Sequence, residues 1–320
     1  MKLTINTYGR LKLLLLLVTC FLFQQSYLFA QDDKAVTEEK PAPVKYKPVK
    51  NTFQSVWIIE NQTVMVPVKG TLEFDIMHRF GEIDEGFRDF FGAFDPSNIR
   101  LGLSYAPINK LFVGVGYTKE KRLVDGSAKY SIITQTKGKY PVSVTYYGSL
   151  SIDTRKKDVA DIYDGSLIKN WTDRLLAFHQ IIIARKVTEK LSVQVAPSIT
   201  HQNAVSGYYT KSDSTGTEIY KSMRNDHFAI SFAARYKFTN VTSVMFNYDQ
   251  PLTKHPSNNP NPNISLGIEF NTSSHSFQLF FTNYYGLNPA RNNLYNHNDP
   301  LPLSNGKYLV GFNITRLWNY

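Results

Sequence analysis

Three observations predict that this chain is an all-β protein, a transmembrane antiparallel up-and-down β-barrel of about 12 strands with short periplasmic turns and long extracellular loops. Apolar and polar residues alternate along many short segments, tight and long connections take turns between those segments, and the final segment alternates and stops on aromatic residues. Each of these has a physical reason, given below in the order of the chain.

The bulk numbers leave room for a barrel and close off other classes. The body of the chain has no apolar run near the roughly 20 residues of a membrane helix, and mean hydropathy is slightly polar at −0.29 with 14% aromatic residues. A β-barrel escapes such averages because only alternate residues of each strand meet lipid. The one cysteine, Cys20, lies in the N-terminal apolar segment, so thiol redox chemistry, disulfides and a cysteine metal site are excluded from the mature chain, and no metal or cofactor is expected. The formal charge of +10 falls to +7 without Lys2, Arg10 and Lys12. The basic residues are scattered without a run or a nucleic-acid motif, so no nucleic-acid partner is expected.

Residues 1–30 read as a signal peptide, with a basic start, an apolar core from Leu13 to Phe23 and a cut after Ala30. Leu17-Val18-Thr19-Cys20 has the outline of a lipoprotein box, but Thr19 before the cysteine and the apolar residues after it argue for a cleaved leader. Residues 31–56, rich in Lys, Glu, Pro and Val up to about Lys50, carry Pro41, Pro43 and Pro48 spaced as in an extended linker. They read as a flexible periplasmic segment and a possible seat for a periplasmic partner. The more apolar stretch from Asn51 to Pro67 fits either an element lying against the periplasmic end or a short extra strand. Residues 57–320 are assigned to the barrel.

The regular part gives twelve candidate strands, near residues 71–80, 98–105, 110–119, 127–135, 141–151, 173–186, 190–200, 226–238, 241–249, 263–271, 274–284 and 307–318. In the tenth, Ile264, Leu266, Ile268 and Phe270 oppose Ser265, Gly267, Glu269 and Asn271. Connections after the even-numbered strands are tight, and those after the odd-numbered ones are mostly long, far beyond hairpin length around 207–225. An outer-membrane barrel segregates its connections in this way. A secreted soluble sandwich or lipocalin-like barrel would show the same periodicity with its faces inverted, and it has no reason to sort loops by parity. Phe312, Trp318 and Tyr320 in the last strand resemble the insertion signal read by the barrel-assembly machinery, which places the protein in the outer membrane of a Gram-negative cell, with membrane lipid as its surroundings.

Several segments together resemble a Bacteroidota outer-membrane β-barrel family, the domain of unknown function 5777 family. They are His78-Arg79-Phe80-Gly81, Phe90-Phe91-Gly92, Asn98-Ile99-Arg100-Leu101-Gly102-Leu103, Ser274-His275-Ser276-Phe277-Gln278-Leu279 with Phe281-Thr282-Asn283, and Gly311-Phe312-Asn313-Ile314-Thr315-Arg316. The resemblance runs from about residue 50 onward and implies a barrel and export. Ser273-Ser274 stands where the family tends to have two glycines.

If apolar faces meet lipid, the candidate lumen charges are Glu73, Asp75, Arg79, Arg100, Arg235, Lys237 and Glu269. They suit a polar pore that selects solutes, and equally a barrel closed by its own paired side chains. Phe87, Phe90, Phe91 and Phe94, at helical spacing in the first long loop, are candidates for a lid over the barrel mouth. The seven histidines show no G-x-S-x-G, H-E-x-x-H or metal-ligand spacing, so no catalytic residue is assigned. The expected function is a passive channel or transport-related barrel for small polar solutes. A non-enzymatic scaffold of an envelope complex stands as the alternative, and an outer-membrane hydrolase as a weaker one.

Overall fold

The computed structural model describes residues 46–319 apart from 84–85, 159–166, 206–207, 214–215, 222, 258 and 302–306. The signal peptide, residues 31–45 and Tyr320 of the insertion signal lie outside the described residues.

A short hairpin, β1 (Trp57–Ile58) and β2 (Asn61–Gln62), precedes the barrel wall. The wall then runs through β3 (Thr71–Glu82), β4 (Asn98–Ile108), β5 (Leu111–Thr118), β6 (Leu123–Ile133), β7 (Ser143–Asp153), β8 (Leu175–Lys186) and β9 (Leu191–Gln202). An outer-loop hairpin, β10 (Tyr208–Asp213) and β11 (Gly216–Lys221), follows. The wall resumes with β12 (Asp226–Lys237), β13 (Thr242–Pro251), β14 (Asn263–Asn271) and β15 (His275–Thr282). A seven-residue helix, α1 (Pro289–Tyr295), lies in the connection before the closing strand β16 (Leu309–Asn319). Each wall strand is antiparallel to its neighbours, and β16 pairs with β3 to close a barrel of twelve.

Exposure along the strands decides which face meets lipid. On β15, Leu279 is 55% exposed and Phe281 57%, while Gln278 and Phe280 between and beside them are 3% and 1% exposed. A soluble barrel would have the reverse. The same holds for Leu101 and Leu103 against Arg100, and for Leu266 and Ile268 against Ser265 and Glu269. An apolar outer surface over a polar interior is the arrangement that lipid requires.

All twelve predicted strands are present, with ends shifted by a few residues. One expected long connection is short: β5 and β6 are joined by residues 119–122 alone, where Lys121 and Arg122 take left-handed backbone angles to turn the chain.

The largest departure is at the N-terminal side. Residues 51–68 neither add a wall strand nor lie against the periplasmic end, and the wall begins at Thr71 rather than at residue 57. Phe53, Ser55 and Val56, assigned to the flexible segment, are buried, as are all residues from Trp57 to Val64. Their partners are inward-facing wall residues, so this stretch is a hairpin inserted into the lumen. Its entry is tied to the turn after β6 by a bridge between Pro48 and Thr136 and by Val49 N–H donating to Gln135 O at 2.7 Å. Its exit is tied at Gly70, whose N–H donates to Ala106 O at 2.8 Å. Asn51 and Gly70, both at positive φ, bracket the insertion.

The helix expected for the phenylalanine segment is also corrected. Residues 86–94 form successive turns rather than a helix, and Phe87 and Phe94 are 82% and 78% exposed. Their aromatic contacts are with one another, Phe87 with Phe91 at 4.9 Å and Phe90 with Phe94 at 6.0 Å. A helix is found at the outer mouth in α1, which bonds Ser151, Glu120 and Gln202. Asn288 caps it by accepting from Ala290 N–H at 3.0 Å, and Pro289 opens it, which needs no N–H at that place.

Candidate functional site

The lumen is the site, and its first feature is an ion-pair row in the wall. Asp75, Gly102, Gly116 and Asp125 are register partners across β3, β4, β5 and β6. Arg100 lies across this row, with Nη1 2.8 Å from Asp75 Oδ1, Nη2 2.8 Å from Asp125 Oδ1 and Nε 3.1 Å from Asp125 Oδ2. A Cβ on Gly116 would come 2.2 Å from Arg100 Nη2, and one on Gly102 2.1 Å from Asp75 Oδ2. Two facing glycines therefore clear the space in which a planar guanidinium can lie flat between two carboxylates.

The other predicted charges also face inward. Arg235 Nε pairs with Glu269 Oε2 at 2.5 Å. Glu73 is fully buried, and Lys237 is half-buried at the periplasmic rim. Arg79 is not paired within the wall, and its Nη2 reaches Glu60 Oε2 of the inserted hairpin at 2.7 Å.

The hairpin is held along its whole length. Ser55 Oγ is 2.6 Å from both Glu269 Oε1 and Ser276 Oγ, and Gln54 Oε1 accepts from Arg235. Trp57 lies under the Arg100 guanidinium at 5.5 Å. Asn61 Nδ2 donates to Asn247 Oδ1 at 2.8 Å and Asp249 Oδ1 at 2.7 Å, and Lys129 Nζ donates to Gln62 Oε1 at 2.7 Å. Phe53, Ile58, Ile59 and Val64 share one apolar cluster with Tyr147, Leu176, Phe178 and Ile182. That cluster explains why β8, unlike most wall strands, is apolar on its inward face. Ile59, at the tip, has φ +57°. A β-branched residue in that region costs on the order of 1–3 kcal/mol, which the surrounding contacts must offset.

On the outer side α1 is seated by polar contacts. Asn288 Nδ2 donates to Ser151 Oγ at 2.9 Å, Tyr295 hydroxyl donates to Gln202 Oε1 at 3.0 Å, and Arg291 Nε donates to Glu120 Oε1 at 3.3 Å. His227 and His255 stack at 5.1 Å near this end, with Nδ1 and Nε2 2.9 Å apart, and burial beside the Arg224 guanidinium lowers the pKa of His255. His201 bonds Asp226, Tyr146 bonds His179 and Ser274 bonds His275. Among the described residues, none of these pairs joins a hydroxyl, an imidazole and a carboxylate in one hydrogen-bonded chain, and no cluster of three metal-ligating side chains forms.

Outside, His78 stacks on Phe312 at 4.9 Å, and Arg316 lies 4.8 Å over Trp318 at the periplasmic end of β16. These are interfacial contacts, in keeping with the parity of the sequence.

Sequence reasoning missed Ser55, Glu60, Asn61, Gln62, Asp125, Lys129, Asp249, Gln278 and Asn313. One signal was available near the Arg100 row. Gly102 and Gly116, at inward parity beside Arg100, leave room for its side chain, but they do not point to the acid beyond them.

An antiparallel membrane barrel with apolar outer faces and a lumen filled by its own chain is a plugged outer-membrane β-barrel. The chain belongs to the family described as membrane bound beta barrel domain (DUF5777), which matches residues 53–318. The match starts at Phe53 and so takes in the hairpin together with the wall. Among solved structures, the chain is similar to the NanC porin at 9% identity over 77% of this chain and 98% of that one, with a TM-score of 0.45. It is similar to the KdgM porin at 10% identity over 76% and 98%, with a TM-score of 0.43. A third is the COG4313 outer membrane channel from Pseudomonas putida F1, at 11% identity over 79% and 97%, with a TM-score of 0.42. Among curated protein sequences none matches the chain.

Proposed function

We propose that this protein is a transport-related outer-membrane channel for small polar solutes whose passage is closed by its own N-terminal hairpin. The observation that carries this reading is the division of ion pairs. Arg100 with Asp75 and Asp125, and Arg235 with Glu269, are pairs within the wall. They stay paired when the hairpin leaves. Beside the Glu60–Arg79 pair and the apolar cluster against β8, the hairpin is held by side-chain hydrogen bonds, which water replaces at a small net cost, about 1 kcal/mol each. A lumen built in this way is compatible with water once emptied.

A second reading, a non-enzymatic scaffold, is favoured by the filling of the lumen from both ends, by the hairpin below and α1 above. No hydrolase is proposed.

The two are separated by locking the hairpin. Ser55 and Ser276 touch through their hydroxyls, so S55C/S276C places two thiols where a disulfide can form. In planar bilayers the oxidised protein should be silent, and the reduced protein carrying Glu60→Ala should give discrete conductance steps. Equal conductance in locked and unlocked forms, or none in any form of a protein that is folded by heat-dependent gel mobility, would sink the channel reading.

A further inference from the structure

The wall contacts to the hairpin fall into two sets, and one of them does not depend on the hairpin's side chains. Gln278 Nε2 donates to Trp57 O at 2.9 Å, and its Oε1 accepts from Ile59 N–H at 3.1 Å. Asn313 Nδ2 donates to Ile59 O at 2.6 Å. Gln194 Nε2 donates to Gln62 O at 2.8 Å, Lys129 Nζ to Thr63 O at 3.4 Å and Thr145 Oγ1 to Val64 O at 3.2 Å. Five wall side chains, on β6, β7, β9, β15 and β16, thus engage six main-chain groups between Trp57 and Val64.

Gln278 is the most telling of these. Its amide presents a donor and an acceptor to one stretch of backbone, as a neighbouring peptide unit would in a sheet. Every polypeptide repeats these groups whatever its sequence. A sugar without acetamido groups offers hydroxyls instead of the paired amide N–H and C=O.

We propose that the lumen is a peptide seat, and that the cargo of this channel is an oligopeptide held by the side chains that now hold the two arms of the hairpin. The inference rests on the channel reading for the word cargo, though not for the seat itself. The hairpin is a tethered competitor at an effective concentration on the order of millimolar. A free peptide therefore takes its place only where the hairpin has been displaced or weakened. The wall has capacity to spare: among the described residues, Gln194 Oε1, Thr200 Oγ1 and Ser243 Oγ are buried and make no hydrogen bond.

The test uses the full chain carrying Glu60→Ala/Asn61→Ala in detergent micelles, with fluorescence anisotropy as the readout. The probes are a labelled peptide with the sequence of residues 53–66 and a labelled scrambled peptide of the same composition. Main-chain recognition predicts that both bind, within about tenfold of each other, and that adding Gln278→Ala weakens both by about tenfold or more, since two hydrogen bonds are lost. Binding of the native-order peptide alone would show a seat private to the hairpin and overturn the proposal. So would binding of neither peptide, or indifference to Gln278→Ala in a protein that keeps its heat-dependent gel mobility. Conductance is measured separately on the same variant. Conductance without peptide binding sinks the seat and leaves the channel, whereas peptide binding without conductance does the opposite.

Discussion

Glu60 at the tip of the hairpin and Arg79 on the first wall strand form an ion pair with Oε2 and Nη2 2.7 Å apart, and neither side chain reaches solvent. Of the wall's buried arginines it is the one whose acid comes from outside the wall. Arg79 also lies 4.4 Å over the ring of Phe280, which gives the guanidinium a face to rest on but no compensating charge.

Glu60→Ala strands that guanidinium. Breaking a buried pair by removing one partner costs about 3–5 kcal/mol, and here the cost falls on the seated hairpin. The expected result is faster proteolytic cleavage between residues 53 and 66 at unchanged heat-dependent gel mobility. The double variant Glu60→Ala/Arg79→Met, with no charge left to strand, should recover most of the protection.

Gly116→Ala tests the cleared space around Arg100. The added methyl would meet Nη2 at 2.2 Å, and both carboxylates hold that guanidinium in place. The fork must move out of the row, and a loss of about 1–3 kcal/mol is expected from overpacking, read as a lower urea midpoint for refolding into vesicles. Gly126→Ala, outward-facing with open space around its Cβ, should change the midpoint little.

Leu279→Arg tests the lipid face. Leu279 is 55% exposed midway along β15, where an arginine costs about 2–4 kcal/mol near the bilayer midplane. Insertion into vesicles should weaken by that amount. If the variant refolds as well as the parent, the outward face is not in hydrocarbon.

The wall was legible in the sequence because period-two alternation and loop parity are local, repeated twelve times over, and enforced by lipid on one side. Arg100 could be placed beside the acids of the first strand for the same reason, since adjacent strands fix which inward residues meet. Asp125 was not legible, because its partner sits two strands away and the link depends on glycines that carry no side chain to read. The hairpin escaped for a different reason. Its residues N-T-F-Q-S-V-W-I-I-E-N-Q-T-V-M-V-P mix polar and apolar types without a period, since the lumen offers an apolar patch at β8 and amides elsewhere, and no repeating face imposes a pattern. The Phe87 to Phe94 spacing misled because helical periodicity was read where Gly86 and Gly92, both at positive φ, break the segment into turns.

The inserted hairpin comes before β3 in the chain, yet Ser55 and Ile59 are fastened to Ser276 and Gln278 of β15, and Asn313 of β16 takes Ile59 O. The start of the domain is thus fastened in part by its last two strands. A chain lacking those two strands would lose these contacts along with the closure of the wall. The strand that closes the wall, β16, thus also holds what fills it.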